Sequence, residues 1–394
     1  MTAVQHEPHH HARVPPWRDI RVLRVIAQVV VVMAVAVVLL WLAGNLTGTM
    51  SERGLSFSLG FLDQRAGFEI PDSPVPYNAD DTYGQAYLVG LANTLFVGVL
   101  GIVLATILGI VVGVARLSNN WLLRTVTGAY VELMRNTPLL VQLFFLYFAL
   151  LLQLPPVRDS LALPGSVYLN QRGLFMPAPQ PSSSFGTWLL LVVFGIGLAV
   201  AGRVISGRRA AAGRDSLRLG AIGLTVLGVL VVGAWVLLAP ISFEAPELGR
   251  FNFSGGMSMS TSFTAILLGL VIYTAAFIGE VVRGGIQAVR RGQVEAARAL
   301  GLSEGQTLRL VVFPQALRII VPPLTSQYLN LVKNSSLAIA VAYPDLFKVG
   351  VTMSNQTGQP VPVIALIMGT YLAISLATSL LMNVYNRRVQ VLER

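Results

Sequence analysis

The sequence contains no cysteine and few charged residues, and these absences narrow the possible functions. Cysteine is missing from all 394 residues, which excludes disulfides, thiolate metal sites and a cysteine nucleophile. Charged residues make up 12% of the chain, whereas 54% of the residues are hydrophobic and the mean hydropathy is +0.68. Ordinary soluble domains carry about 25% charged residues. The composition therefore indicates a protein that crosses a membrane several times.

Histidine is also scarce, because all four histidines (His6, His9, His10 and His11) lie in a polar N-terminal tail. A histidine-rich tract can bind metal, but a short tail with flanking prolines is typical of disordered chain, so we predict no metal site and no cofactor. An enzyme embedded in the membrane would need a catalytic constellation. The absence of histidine beyond the tail and of paired acidic residues within one span argues against that class.

Windows of about 20 apolar residues are long enough to cross the hydrocarbon core of a bilayer. We find eight such windows and predict an all-α polytopic membrane protein with about eight transmembrane helices. The first is interpreted as an uncleaved anchor. The windows are 22–43, 88–115, 186–205, 217–239, 260–282 and 361–385, with two less apolar ones at 125–153 and 313–343.

The distribution of Lys and Arg predicts which side of the membrane each loop faces. With the N-terminus inside, the predicted cytoplasmic stretches hold 20 of the 28 Lys and Arg residues, as the positive-inside rule requires. The net charge of +10 is therefore attributed to membrane orientation and not to nucleic-acid binding. Both termini are predicted to face the cytoplasm. The segments 44–87 and 154–185, rich in Pro, Gly and Ser, are expected to be outer surface loops that can include short helices.

One predicted cytoplasmic segment, Glu295–Arg318, is charged and interrupted by glycine where most of the chain is apolar. Its first part, EAARALG, contains good helix formers, and Gly301 suits the C-terminus of a helix. Ser303 and Gln306 have capping-box spacing, so a second short helix is expected before a new helix opens at Pro314. Small residues along the loop favour a docking surface for another protein over an amphipathic connector lying on the membrane.

The residues Glu295, Ala296, Ala297, Gly301 and Pro314 have the spacing of the EAA loop, and the sequence resembles the permease subunits of binding-protein-dependent ABC importers. The resemblance implies a type I ABC importer permease fold and an inner-membrane location. Three stretches resemble the polar amino-acid permeases, and a fourth resembles the general L-amino-acid subgroup. They are LANTLFVGVLGIVLATILGIVVGVARLS, YVELMRNTPLLVQLFFLYF, YLNLVKNSSLAIAVAYPDL and GFLDQRAGFEI.

The resemblance implies transport of amino acids, with broad L-amino-acid specificity, and it implies partners. These are cytoplasmic ATP-binding subunits docked on the EAA loop, a periplasmic substrate-binding protein and a second permease, which the subgroup suggests is a homologue in a heterodimer. The sequence lacks the phosphate-binding pattern G-x-x-x-x-G-K-[ST], so ATP hydrolysis is expected on a partner, and this chain is not expected to be an enzyme.

The predicted domain organisation has two parts. Residues 1–87 form an N-terminal tail, an anchor helix and a periplasmic loop, and residues 88–388 form the transmembrane domain, into which a loop and helix pair is inserted at 154–257. The alternative function is an ion-coupled secondary transporter of a small polar solute. That class uses buried coupling acids and usually has repeated halves, and neither is visible here.

Polar side chains inside two spans are candidates for the substrate pathway. Glu132 and Arg135 have the i,i+3 spacing of a helical pair, and either charge alone near the bilayer centre would cost about 3 kcal/mol. They either stabilise the bundle as an ion pair or contact the substrate, and both interpretations remain open. Pro138 leaves a backbone carbonyl without its helical donor, which is tolerated where it lines a cavity. The full candidate set is Glu132, Arg135, Thr137, Pro138, Gln142, Lys333 and Asn334.

Overall fold

The computed structural model describes residues 20–52, 57–211 and 217–389. The histidine-rich tail lies outside the described residues. The chain divides into two units, Met1–Phe61 and Leu62–Arg394. The described part of the first unit consists mainly of the helix α1 (Ile20–Glu52), whose apolar stretch Val22–Thr49 is long enough to cross a membrane.

The second unit is a helical bundle with a small β-structured insertion. Single turns of 3₁₀ or π geometry connect several of its helices. These helices are α2 (Tyr83–Ala115), α3 (Trp121–Asn136), α4 (Leu139–Phe144), α5 (Phe185–Ala211), α6 (Leu217–Leu238), α7 (Thr261–Gln287), α8 (Arg291–Ala299), α9 (Glu304–Thr307), α10 (Phe313–Asn334), α11 (Leu346–Thr357) and α12 (Pro360–Val389).

The predicted all-α polytopic class is confirmed, and the predicted count of eight spans is approximate. Among the described residues, six helices are long and apolar enough to cross a membrane, and a bent pair can supply a seventh span. The bent pair is the window 125–153, in which Trp121–Asn136 and Leu139–Gln153 meet at 108°. Within α6, the apolar helix Thr225–Leu238 is shorter than the other spans.

The centre of the bundle is the contact between α2 and α7, which pack closely because glycines face each other. A Cβ atom added at Gly109 would lie 2.5 Å from Cγ2 of Ile278, and one at Gly113 would lie 2.7 Å from the carbonyl oxygen of Gly279. Small residues one turn apart let helix backbones approach within a membrane. The buried residues Ile278 and Val282 then fill the core beside the glycines.

The segment 154–185, expected as a surface loop that can include short helices, instead contributes strands. Part of the reason is non-local pairing, since two of these short strands, β3 and β4, pair with chain on the far side of α5 and α6. The strands are β1 (Leu161–Leu163), β2 (Val167–Asn170), β3 (Gly173–Met176), β4 (Ala178–Pro181), β5 (Ile241–Glu244), β6 (Glu247–Leu248), β7 (Phe253–Ser254) and β8 (Met257–Ser260). All pairings are antiparallel, in the order β1-β2-β3-β8, with the separate pairs β4-β5 and β6-β7.

Helices α5 and α6 form a hairpin that rises from the β4-β5 pair. The two helices pack on each other, with the indole of Trp188 donating to the carbonyl of Val231 at 3.3 Å and meeting the ring of Trp235 edge-on. Most described side chains of the hairpin are exposed, as expected of helices that face lipid. The hairpin is therefore joined to the bundle mainly through strands and not through helix packing.

Candidate functional site

The charged loop folds as two helical segments joined by a tight turn at Gly301. Helix α8 ends in a Schellman motif, in which Gly301 N donates to the carbonyl of Arg298 at 2.9 Å and Leu302 N donates to that of Ala297 at 3.2 Å. The motif requires a left-handed residue, and Gly301 has φ +80°. The predicted role of Gly301 at a helix C-terminus is confirmed.

The second segment begins with the predicted capping box. Ser303 N donates to the Gln306 side chain at 2.9 Å, and Gln306 N donates to the Ser303 hydroxyl at 3.3 Å. The segment does not stop before Pro314, however. A π turn over Leu308–Val312 joins α9 directly to α10, so that Pro314 lies in the first turn of a continuing helical path. The wider π turn accommodates a residue that has no N–H to donate.

The loop surface combines a buried anchor with exposed small and apolar groups. Ala297 and Thr307 are buried against the protein, whereas Glu295 and Ala296 are exposed. Leu300, next to the turn, is 82% exposed. The loop therefore presents small side chains and one large apolar side chain on its exposed surface.

The break between α3 and α4 shows that the carbonyl freed by Pro138 is not unpaired. The Gln142 amide nitrogen donates to the carbonyl oxygen of Met134 at 3.0 Å and to that of Thr137 at 3.1 Å. The Thr137 hydroxyl donates back to the carbonyl of Leu133. Gln142 and Thr137 therefore satisfy the backbone at the bend, and this position leaves no free carbonyl to line a cavity as the sequence suggested.

Glu132 and Arg135 do not form the ion pair that their spacing allows. Both side chains are exposed, and no ion pair within 4.0 Å joins them. Arg135 instead lies over the ring of Phe277 on α7, with its guanidinium carbon 5.4 Å from the ring centre. The pairing interpretation is wrong, because α3 packs against α7 and Arg135 stacks on Phe277 there instead.

Glu280 is the acid that forms ion pairs at this end of α7. It accepts from Arg283, three residues further along α7, and also from Arg116 just beyond the end of α2. The second contact is not visible in the sequence, because it joins residues 164 positions apart. The pair links the ends of the two helices that form the centre of the bundle.

A cavity of about 280 Å³ between α7 and α10 is lined by uncharged polar groups. Three side-chain amides of α10, those of Gln327, Asn330 and Asn334, share one helix face at i, i+3 and i+7. None of the three has a hydrogen-bonding partner within the described part of the chain. The opposite wall consists of the α7 residues Tyr273, Thr274 and Phe277.

This cavity unites only some of the predicted pathway residues. Asn334 lines it directly, whereas Arg135 only contacts one of its lining residues, Phe277. Lys333 lines a different cavity, which it shares with Ser336, Phe347 and Tyr371. Gln327 and Asn330 were missed, although their spacing from Asn334 in the sequence is the signal that would have identified the face.

A third cavity, of about 360 Å³, lies at the opposite end of α7 from the charged loop. Its lining includes Asp72 from the loop after α1, Phe96 of α2 and Phe263 of α7. The Ser260 hydroxyl donates to the Asp72 carboxylate. Partial burial raises the pKa of the Asp72 carboxyl, and the hydrogen bond from Ser260 offsets part of the rise.

Comparison with known proteins assigns the family. The profile of the family described as "Binding-protein-dependent transport system inner membrane component" matches residues 222–391. The chain is 45% identical over 375 residues to the putative amino-acid ABC transporter permease protein YhdX of Escherichia coli, covering 93% of this chain and 94% of that one. This chain belongs to the amino-acid ABC transporter permeases. It is therefore a multi-pass permease subunit of an inner-membrane transporter. As a permease subunit, it is not itself an enzyme.

Two further relatives support this placement of the permease. The general L-amino acid transport system permease protein AapQ of Rhizobium johnstonii is 45% identical over 90% of this chain and 89% of its own length. The glutamate/glutamine/aspartate/asparagine transport system permease protein BztB of Rhodobacter capsulatus is 42% identical over 95% of this chain and 96% of its own. A crystal structure of an amino acid ABC transporter with histidines aligns with 78% of this chain and 95% of its own, at 21% identity and a TM-score of 0.47.

Proposed function

We propose that this permease moves amino acids from the periplasm into the cytoplasm, with broad L-amino-acid specificity, in an importer whose ATP hydrolysis occurs on partner subunits. The observation that carries the proposal is the full-length similarity to amino-acid permeases combined with a protruding, Schellman-capped loop at the end of α7. The relatives give no support to an ion-coupled transporter.

In this proposal the segment α8 to α10 is the docking surface for the ATP-binding subunit. Glu295, Ala296 and the exposed Leu300 offer a compact surface with little side-chain bulk, which suits insertion into a groove. Gly301 fixes the angle between the two helical segments, and Pro314 marks the return to the bundle. The chain enters this surface from α7 and leaves it through α10, so movement of the docked surface is transmitted to both helices.

The cavity between α7 and α10 is the proposed passage for the substrate. An amino-acid zwitterion carries an ammonium donor and a carboxylate acceptor, and a side-chain amide can pair with either group. Three amides without partners can therefore replace the hydrogen bonds that the substrate loses with its water. They do so without imposing one orientation on the substrate or selecting one kind of side chain. This chemistry fits cargo that varies in side chain. Charged pathway groups such as Glu132 and Lys333 are not needed in this arrangement.

The proposal is tested by uptake of labelled amino acids in a strain that lacks this chain. Wild-type permease should restore uptake, whereas the double variant Asn330→Leu with Asn334→Leu should lower it at least about tenfold. A lost hydrogen bond to a charged group is worth about 1.5 kcal/mol or more, which corresponds to about a factor of ten. Leucine has the same number and branching of non-hydrogen side-chain atoms as asparagine and is apolar, so the variant should still fold.

Lys333→Gln is the matched control on the same helix, because Lys333 lines a different cavity. It should retain most of the uptake. If the double asparagine variant transports normally while Lys333→Gln is inactive, the pathway runs along the other face of α10. Failure of the wild-type chain to restore uptake of any amino acid would refute the transport function itself.

The proposed topology has both termini in the cytoplasm and the β-structured insertion outside. A reporter that is active only outside the cytoplasm should be active when fused after Asp72 or Pro179 and inactive when fused after Gly213. Gly213 lies outside the described residues, and the prediction there rests on the Lys and Arg distribution. An active fusion at Gly213 would contradict the assigned direction of α5 and α6.

We also propose that a second, homologous permease completes the pathway and that a periplasmic substrate-binding protein delivers the cargo. The description of the matching family includes dependence on a binding protein, which supports the substrate-binding protein as a partner. That this second permease is a homologue, forming a heterodimer, is proposed from the resemblance of GFLDQRAGFEI to the general L-amino-acid subgroup.

A further inference from the structure

The three arginines of the β-structured insertion converge on one cavity. Arg158, Arg172 and Arg250 are the only basic residues in 154–184 and 239–260, the two segments that form the strands and their connections. All three line the same cavity of about 300 Å³, although they come from chain positions up to 92 residues apart. The positive-inside rule depletes outer loops of arginine, so the convergence of those that remain is unexpected.

These arginines have no acidic partner. No ion pair within 4.0 Å involves any of them in the part of the chain that the structure describes. Asp159 is the one carboxylate in the cavity lining, which leaves the lining with a formal excess of two positive charges. Glu244, on the neighbouring strand β5, accepts instead from the Gln180 amide. The cavity thus presents unneutralised guanidinium groups to the outside.

Exposed apolar groups surround the arginines. Phe251 is 74% exposed and Leu248 is 53% exposed, and both line the cavity. The guanidinium carbon of Arg250 lies 5.3 Å from the centre of the Phe251 ring. Arginine and aromatic residues are the types most enriched where protein interfaces concentrate their binding energy. This composition is more typical of a protein contact than of a small-anion site.

The cavity is held firmly to the end of the bundle. The Thr261 hydroxyl, at the first residue of α7, donates to the carbonyl of Gln171 at 2.7 Å, directly beside Arg172. Arg172 in turn donates to the carbonyl of Phe251 at 3.2 Å and holds the β6-β7 turn against β2 and β3. Helix α7 spans 27 residues, about 40 Å, between this cavity and the loop that begins at α8.

We propose that this arginine cavity is the docking surface for the periplasmic substrate-binding protein, which contacts it through a patch rich in carboxylates. The inference rests on the proposed function, because it assigns the site at which the binding protein of that importer docks. Charge complementarity steers the encounter and fixes which face of the binding protein meets the permease. Phe251 and Leu248 supply the apolar contact once the partner is seated.

The test uses the full importer in lipid nanodiscs and its own binding protein, with ATP hydrolysis measured as the concentration of binding protein is raised. The variant Arg158→Glu with Arg250→Glu should raise the concentration needed for half-maximal stimulation about tenfold or more, while the maximal rate stays near wild type. Its response to added salt should weaken, because screening acts on the attraction that the substitution removes. Arg172 is left intact, since its hydrogen bond to Phe251 supports the fold.

Two controls separate the site from general charge effects. Arg65→Glu makes one such Arg→Glu substitution, with half the total charge change, on another outer loop, where Arg65 pairs with Asp80. It should shift the half-maximal concentration less than about twofold. Arg158→Lys with Arg250→Lys keeps the charge and should retain most of the affinity.

Three outcomes would overturn the docking site: an unchanged half-maximal concentration in the double glutamate variant, an equal shift from Arg65→Glu, or a shift that disappears in nanodiscs without anionic lipid. The last outcome would assign the cavity to a lipid headgroup. A wild-type importer whose ATP hydrolysis responds to no binding protein would instead refute the proposed function, so the two failures are distinguishable.

Discussion

Replacing Gly301 with leucine is expected to reduce amino-acid uptake about tenfold or more while the permease remains folded in the membrane. Gly301 has φ +80°, and a residue with a side chain pays about 1–2 kcal/mol to adopt that conformation. A factor of ten corresponds to 1.4 kcal/mol, so the Schellman turn would change its geometry in most molecules. A Cβ atom added at Gly301 has no neighbour within 4 Å, so the expected effect lies in the turn and not in a clash with the bundle.

Gly284→Leu is the matched control for this prediction. Gly284 lies in α7, outside the proposed docking segment. It is exposed and leaves open space for an added Cβ, but its φ is not positive. The control should retain uptake and co-purify with the ATP-binding subunits, whereas Gly301→Leu should lose both. Equal behaviour of the two variants, in uptake and in co-purification, would show that the angle at Gly301 does not matter for docking.

Replacing Gly113 with leucine is expected to destabilise the packing of α2 against α7, with a loss of about 3 kcal/mol in stability. A Cβ atom at this position would lie 2.7 Å from a backbone oxygen of Gly279 and 2.8 Å from Cβ of Val282. The backbone oxygen cannot swing away as the end of a flexible side chain could. The two helices would have to separate, and the ion pair between Arg116 and Glu280 at their ends would be lost with them.

Gly128→Leu provides the comparison, because Gly128 lies in α3 with nothing within 4 Å of the added Cβ. The measurements are melting temperature in detergent and the amount of protein in the membrane. Gly113→Leu should show a clear decrease in both, and Gly128→Leu should match the wild type. A Gly113 variant that melts at the wild-type temperature would show that α2 and α7 do not approach as closely as described.

Local signals in the sequence predicted local structure well. The Gly301 turn and the Ser303–Gln306 capping box depend on residues at most five positions apart. All the donors and acceptors of these motifs can therefore be identified from a short stretch of sequence. The freed carbonyl at Pro138 was also visible. The way in which it is satisfied was not, because the Gln142 amide reaches Met134 only after the chain bends by 108°.

Contacts between residues distant in sequence account for the features that the sequence did not predict. Two strand pairings of the insertion, β3-β8 and β4-β5, cross an intervening helix hairpin, and strands of two to four residues are too short to show an alternating pattern. The spacing of Glu132 and Arg135 allowed an ion pair, but the position of Phe277 on another helix determines where Arg135 lies. The amide face of α10 could have been found by applying the helical period to Gln327, Asn330 and Asn334.

The β4-β5 pair gives the α5-α6 hairpin a single point of attachment, since Pro181 and Ile241 are directly opposite each other in the register. The chain thus leaves and rejoins the rest of the protein at neighbouring positions. One in-frame genetic event at this junction can add or remove two spans without reversing the direction of any later helix. Permeases with and without the hairpin can therefore descend from one ancestor while keeping the same arrangement of the transport core.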